Sequence, residues 1–138
     1  MRLCVALLAL AGAAWAQDKG AANAHYQTPE ERRRLAEALA SPSRDERQRP
    51  RELVQSLKIR PGSVVADVGC GSGYMEPYFS AAVGPKGKVI AEDVRTEFLD
   101  AAREQARRLK LSNVRFVMGT TDDPKLPAHA ADLICLLD

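Results

Sequence analysis

The segment Asp67-Val68-Gly69-Cys70-Gly71-Ser72-Gly73 concentrates the chemistry of this chain. Glycines at alternate positions let a backbone leave a strand, turn with positive φ and pass close beneath a ligand. Their amides, with the N-terminus of a following helix, predict an electropositive cradle for an anionic group. A G-x-G-x-x-G loop would point to a dinucleotide pyrophosphate. This loop is G-x-G-x-G, and Asp67 stands two positions ahead of its first glycine. A carboxylate so placed repels a pyrophosphate and suits a ligand with a positive amino group, meaning an amino-acid moiety. The residues therefore favour S-adenosylmethionine over NAD. The plainer structural reading is a tight glycine turn with a capping aspartate.

Asp93 ends an apolar run twenty positions after Gly73. That is close to the spacing at which an acid meets ribose hydroxyls in a βαβ nucleotide site. Ionised, it accepts both hydroxyl protons. Glu92 beside it points the other way on a strand, so only one of the two is expected to serve. Asp93 is preferred, because Ile90 and Ala91 continue the buried run and a loop begins directly after it. Gly119-Thr120-Thr121-Asp122-Asp123 falls on the same rim, where Thr120, Thr121 and Asp122 suit an adenine edge or form a plain turn.

These residues need a scaffold, and the pattern supplies one. Val64–Val68, Lys88–Asp93, Val114–Met118 and Asp132–Leu137 read as strands, the first a β-branched run fit for burial on both faces. Between them, Tyr74 to Val83 reads as a helix, with Pro77 near its first turn. A second helix is capped by Thr96 and carries Leu99, Ala102, Ala106 and Leu109 at helical spacing. Alternation of strand and helix implies right-handed crossovers and a parallel sheet. The expected class is α/β, Rossmann-like, preceded by N-terminal helices. One of these starts at Thr28-Pro29, with Thr28 as N-cap and Leu35, Ala38 and Leu39 as a narrow apolar stripe. Arg32, Arg33 and Arg34 read as a solvated face among acids, and Arg44 to Arg51 as a loop. A further helix after Pro50 turns Leu53, Val54 and Leu57 inward.

Residues 1–16 stand apart. Arg2 precedes an apolar run to Ala14, and Ala14-Trp15-Ala16 is an A-x-A cleavage site. The run is shorter than the roughly 20 residues a membrane span needs. The expected division is an export signal over 1–16, a polar helical extension over 17–60 and a cofactor domain over 61–138. Periplasmic or secreted placement follows, with cytoplasmic as the alternative, since S-adenosylmethionine is made inside cells. The chain has 138 residues, 46% hydrophobic and 28% charged, which excludes wholesale disorder, collagen and coiled coil. A net charge of +2 gives no electrostatic case for nucleic acid, so the expected partner is a small-molecule acceptor. Cys70 and Cys135 are read as buried free thiols, Met75 and Met118 as packing residues, and no metal site is expected.

From Val64 to Asp138 the chain resembles the cofactor half of the class I S-adenosylmethionine-dependent methyltransferases. Val65 to Tyr74 is similar to the family's first motif and Gly87 to Val94 to its second, which places Asp93 on the ribose acid. Gly119 to Asp122 stands where the family usually has an acidic-then-small pair beside the adenine, here replaced by threonines. Asp132 to Asp138 resembles the fourth motif, whose far end approaches the transferred methyl. Arg60-Pro61-Gly62 and the prolines after Asp123 resemble a bacterial branch whose members often carry export signals. The resemblance implies in-line methyl transfer to an O, N, S or C nucleophile. The family's sheet continues beyond four strands, so the chain reads as a fragment or as a domain completed by a partner. No catalytic base can be named. An NAD-linked oxidoreductase and a non-catalytic exported protein keeping the fold remain as alternatives.

Overall fold

Apolar β-branched runs become the centre of a parallel sheet in the computed structural model, which describes residues 4–5, 28–39 and 43–137. The strands are β1 (Cys4–Val5), β2 (Val64–Val68), β3 (Lys88–Asp93), β4 (Val114–Met118) and β5 (Leu133–Leu136). Their order is β1-β5-β2-β3-β4, with every pair parallel. The helices are α1 (Pro29–Leu39), α2 (Ser43–Gln48), α3 (Pro50–Ser56), α4 (Glu76–Val83) and α5 (Thr96–Arg108). The class is the expected Rossmann-like α/β sheet with N-terminal helices before it.

Register sets the site. Asp67 lies opposite Ala91, Val68 opposite Glu92, and Asp93 opposite Met118, so three acids gather at the C-terminal ends of adjacent strands. Below them Val65 and Val89 pack against Phe79 and Val83 of α4, with Leu53, Val54 and Leu57 closing the cluster as expected. Ala91 packs with Cys70 and Leu99. Burial of the four largest aliphatic and aromatic groups here stabilises the fold by about 2 kcal/mol each.

Several local expectations need correction. Arg44 to Arg51 is not a loop: Ser43 to Gln48 forms α2, with Asp45 and Glu46 in its first turn and Arg47 in its last, matching the helix dipole. Thr96 does not cap α5. It is the first helical residue, Arg95 is the N-cap, and the Asp93 carboxylate accepts the Arg95 amide at 2.9 Å instead. Leu109 lies past the last turn and is half exposed, as is Met118 on the edge strand β4. Ala38 is also exposed. Arg32 is not simply solvated, because its Nε pairs with Glu97 at 3.0 Å and ties α1 to α5. The α1 cap is as expected, and reciprocal: Thr28 Oγ1 accepts the Glu31 amide at 3.2 Å and Glu31 accepts the Thr28 amide at 2.9 Å. Beyond β5 the sheet continues into Cys4–Val5, which pairs with Leu133 and Ile134, while Leu136 is exposed. Apart from those two residues, the expected export signal lies outside the described residues. Among the described residues no helix is long and apolar enough to cross a membrane.

Candidate functional site

Where β2 ends, the chain turns through Gly69, Gly71 and Gly73 at φ of 77°, 57° and 87°, a region that favours glycine. At Gly73 the fit is also steric, since an added Cβ would sit 3.0 Å from Ala102 of α5. The amides of this loop are already engaged. Gly69 and Cys70 both donate to the Glu92 carbonyl, at 2.9 and 2.8 Å, and Gly73 donates to the Cys70 carbonyl at 3.2 Å. Gly71 donates to Asp93 Oδ2 at 2.9 Å. Four amides of the expected anion cradle are therefore satisfied from within the protein, and a diphosphate would find these donors occupied.

Acids, not amides, shape the opening. A cleft of about 520 Å³ is lined by Gly69, Glu92, Asp93, Thr120, Thr121 and Asp122 among others. It brings together five of the eight predicted site residues. Asp93 reaches it while accepting from Gly71 and Arg95, so one carboxylate fastens the glycine loop to the start of α5. Glu92 corrects the sequence reading. It does point to the other face, but the backbone after β4 folds over it, and it lines the same cleft. Its Oε2 accepts the Gly69 amide at 3.3 Å, and its buried Oε1 has no hydrogen-bond partner. A Cβ at Gly119 would overlap that oxygen, so the glycine after β4 is the sequence signal that Glu92 is covered. Burial raises the Glu92 pKa, against the lowering effect of the Gly69 amide. The Thr120–Asp123 turn is largely self-satisfied: Thr120 donates its amide to the Asp123 carbonyl at 2.7 Å, leaving exposed Thr121 and Asp122 at the rim.

Asp67, Gly71 and Gly73 are not among the residues lining that cleft. Asp67 is 2% exposed and lies close to the carboxyl group of Glu76, the first residue of α4, whose two buried oxygens find no hydrogen-bond partner. Burial pushes Asp67 up to about 7, opposed by the Arg44 guanidinium and reinforced by Asp93. Burial and Asp67 together hold Glu76 well above the usual carboxylate range. Two buried acids this close disfavour double ionisation, which is why both shifts are upward. Sequence reasoning missed Glu76, which sits in an otherwise apolar helix start. Cys70 and Cys135 are buried and free, with burial raising both thiols, Cys135 to about 12. Met75 is buried packing, as expected.

A parallel sheet with a glycine bend after one strand and a ribose-type acid after the next defines a nucleoside-binding Rossmann-like domain. Residues 65–138 match the methyltransferase-domain family, and the chain belongs to it. It is 41% identical over 66 residues to a probable cobalt-precorrin-6B C(15)-methyltransferase of Thermoplasma acidophilum, covering 47% of this chain and 33% of the relative. It is 47% identical over 57 residues to a tRNA (adenine-N(1))-methyltransferase of Methanocaldococcus jannaschii, covering 41% of this chain and 20% of that protein. Among solved structures, a SAM-dependent methyltransferase of Aquifex aeolicus superposes with a TM-score of 0.70 at 34% identity, over 79% of this chain and 56% of that one. The chain thus spans a third or less of the two curated relatives. With this family and this neighbour the cofactor is S-adenosylmethionine, as the residues suggest.

The expectation that nucleic acid plays no part is overturned. The Methanocaldococcus protein and two further relatives are tRNA methyltransferases. A whole-chain charge near zero says nothing about where the cations lie, so it excludes no class of acceptor.

Proposed function

We propose that this chain forms the S-adenosylmethionine-binding part of a methyltransferase. The observation that carries the reading is the engaged glycine loop beside a cleft walled by carboxylates, an acceptor set that suits hydroxyls and a cation. Asp93 would take the ribose hydroxyls, the Thr120 to Asp122 rim the adenine edge, and Asp67 with Glu76 the ammonium. When bound, the sulfonium supplies an electrophilic methyl group for in-line displacement by a nucleophile. The protein's own contribution is alignment and exclusion of water. The relatives are named for corrinoid-precursor, tRNA and protein acceptors, so the acceptor is assigned only as a nucleophile. No base is assigned; Asp138 lies outside the described residues.

Calorimetry with S-adenosylhomocysteine is expected to give saturable heat, while NADH fluorescence stays unchanged on mixing. Heat with neither nucleoside, or a response to NADH alone, defeats the reading. We also propose that residues 1–16 direct export. Intact mass after expression in a secreting host is expected to begin at Gln17, which would remove β1 from the edge of β5. Retention of Met1 in the exported fraction overturns this.

A further inference from the structure

The sheet face turned away from α4 and α5 carries a second cavity. Val65 and Val89 pack toward Phe79 and Val83 of α4, and Val114 and Phe116 toward Leu99 of α5. Strand alternation therefore turns Val64, Lys88, Ile90, Arg115 and Val117 the other way. These five residues floor a cavity of about 340 Å³, and Lys125, Pro127 and Ala130 of the segment before β5 complete its wall. Ligand pockets span about 300–1,000 Å³, so a small molecule fits. Val64 and Lys88 begin β2 and β3, and Arg115 is second in β4, so the cavity lies toward the strand ends opposite the cofactor cleft. The two share no lining residue.

The lining holds three cations and no acid. Lys125 is engaged, its Nζ donating to Asp123 at 2.7 Å. Lys88 and Arg115 form no ion pair among the described residues. Arg115 lies opposite Ile90 and Lys88 two residues before it, so both cations rise from one apolar floor, with Ile90 buried and Val64 and Val117 half-buried. Unpaired like charges over such a floor repel one another and focus a positive field on the cavity. An arginine on an edge strand also discourages strand pairing. That role needs neither the cavity nor Lys88, which belongs to the inner strand β3. We propose that this face binds a small organic anion with an apolar body, a carboxylate on a short aliphatic chain. Lys88 and Arg115 take the carboxylate, and Val64, Ile90, Val117 and Pro127 cover the chain. The site is independent of the cofactor cleft.

The test ligand is octanoate, titrated in a calorimeter at about 0.15 M salt, where surface attraction is screened beyond about 8 Å. Saturable heat is expected. Octanol, which lacks the charge, and acetate, which lacks the chain, are each expected to bind at least about 10-fold more weakly. Lys88→Gln and Arg115→Gln are each expected to weaken octanoate by about 10-fold, the scale of one charge-assisted contact. Both side chains are exposed, so circular dichroism and urea unfolding of the variants should match the wild type. Prior saturation with S-adenosylhomocysteine should leave octanoate affinity unchanged. Absence of saturable heat, octanol or acetate binding as tightly as octanoate, undiminished affinity in both variants, or competition with S-adenosylhomocysteine each overturns the proposal.

Discussion

Asp93→Asn is expected to lower affinity for S-adenosylmethionine by about 1000-fold and to destabilise the free protein by about 2 kcal/mol. The side chain performs two tasks with one carboxylate. Oδ2 accepts the Gly71 amide and Oδ1 the Arg95 amide, both at 2.9 Å, while the remaining lone pairs are available to the cleft. An asparagine offers one oxygen and one NH₂ group. Whichever way it is flipped, its NH₂ opposes a backbone N–H, so either Gly71 or Arg95 loses its acceptor. An unpaired buried donor costs about 1–3 kcal/mol. If Gly71 is the one released, the loop loses its link to α5; either way the ribose faces a donor where it needs an acceptor. Urea unfolding and calorimetry measure the two effects separately. Glu92→Gln is the control, because an amide still accepts from Gly69, and a change under about 3-fold in affinity is expected. If Glu92→Gln weakens binding more than Asp93→Asn does, the ribose acid has been assigned to the wrong residue.

The sheet was legible because its information is local. Val64–Val68, Lys88–Asp93 and Val114–Met118 are short apolar runs bounded by turn residues, and they appear as strands with those bounds. Asp93 was legible for the same reason, since the last residue of a central strand faces the loop that follows it. What escaped depends on contacts distant in sequence. The Gly69 and Gly71 amides looked free because their acceptors, Glu92 and Asp93, lie 23 and 22 residues away. Strand alternation correctly turned Glu92 to the far face, but it carries no information about the segment after β4 that covers that face. Helix α2 has no apolar periodicity to betray it. Tyrosine hydroxyls 29 and 33 residues further on hold it, so neither Arg44 nor Asp45 stands out from a mixed-charge stretch. The aspartate ahead of the glycines was read as an open carboxylate, whereas the fold buries it against a second acid, and that changes its behaviour with pH.

Asp67→Asn is expected to bind S-adenosylmethionine about 100-fold more weakly and yet to unfold at higher urea than the wild type at pH 8. The stability sign follows from the direction of the pKa shift. Burial raises Asp67 from 3.8 to about 7, so the folded chain retains a proton that the unfolded chain has released. Across that window stability falls as pH rises, and above it the full penalty remains. Below pH 3.8 both states are protonated and the penalty vanishes. Asparagine does not titrate, and its NH₂ can donate to Glu76, which relieves the second acid as well. The variant should therefore gain about 2–4 kcal/mol over wild type at pH 8 and nothing at pH 3. Binding moves the other way, because the cofactor's ammonium loses the negative charge that faces it. In the wild type, affinity should climb as pH rises through 7, while in the variant it stays flat. A residue that merely packed or capped would weaken both properties when replaced. Loss of stability at pH 8 in Asp67→Asn, or a pH-independent wild-type affinity, would show that this carboxyl group serves the turn and not the ligand.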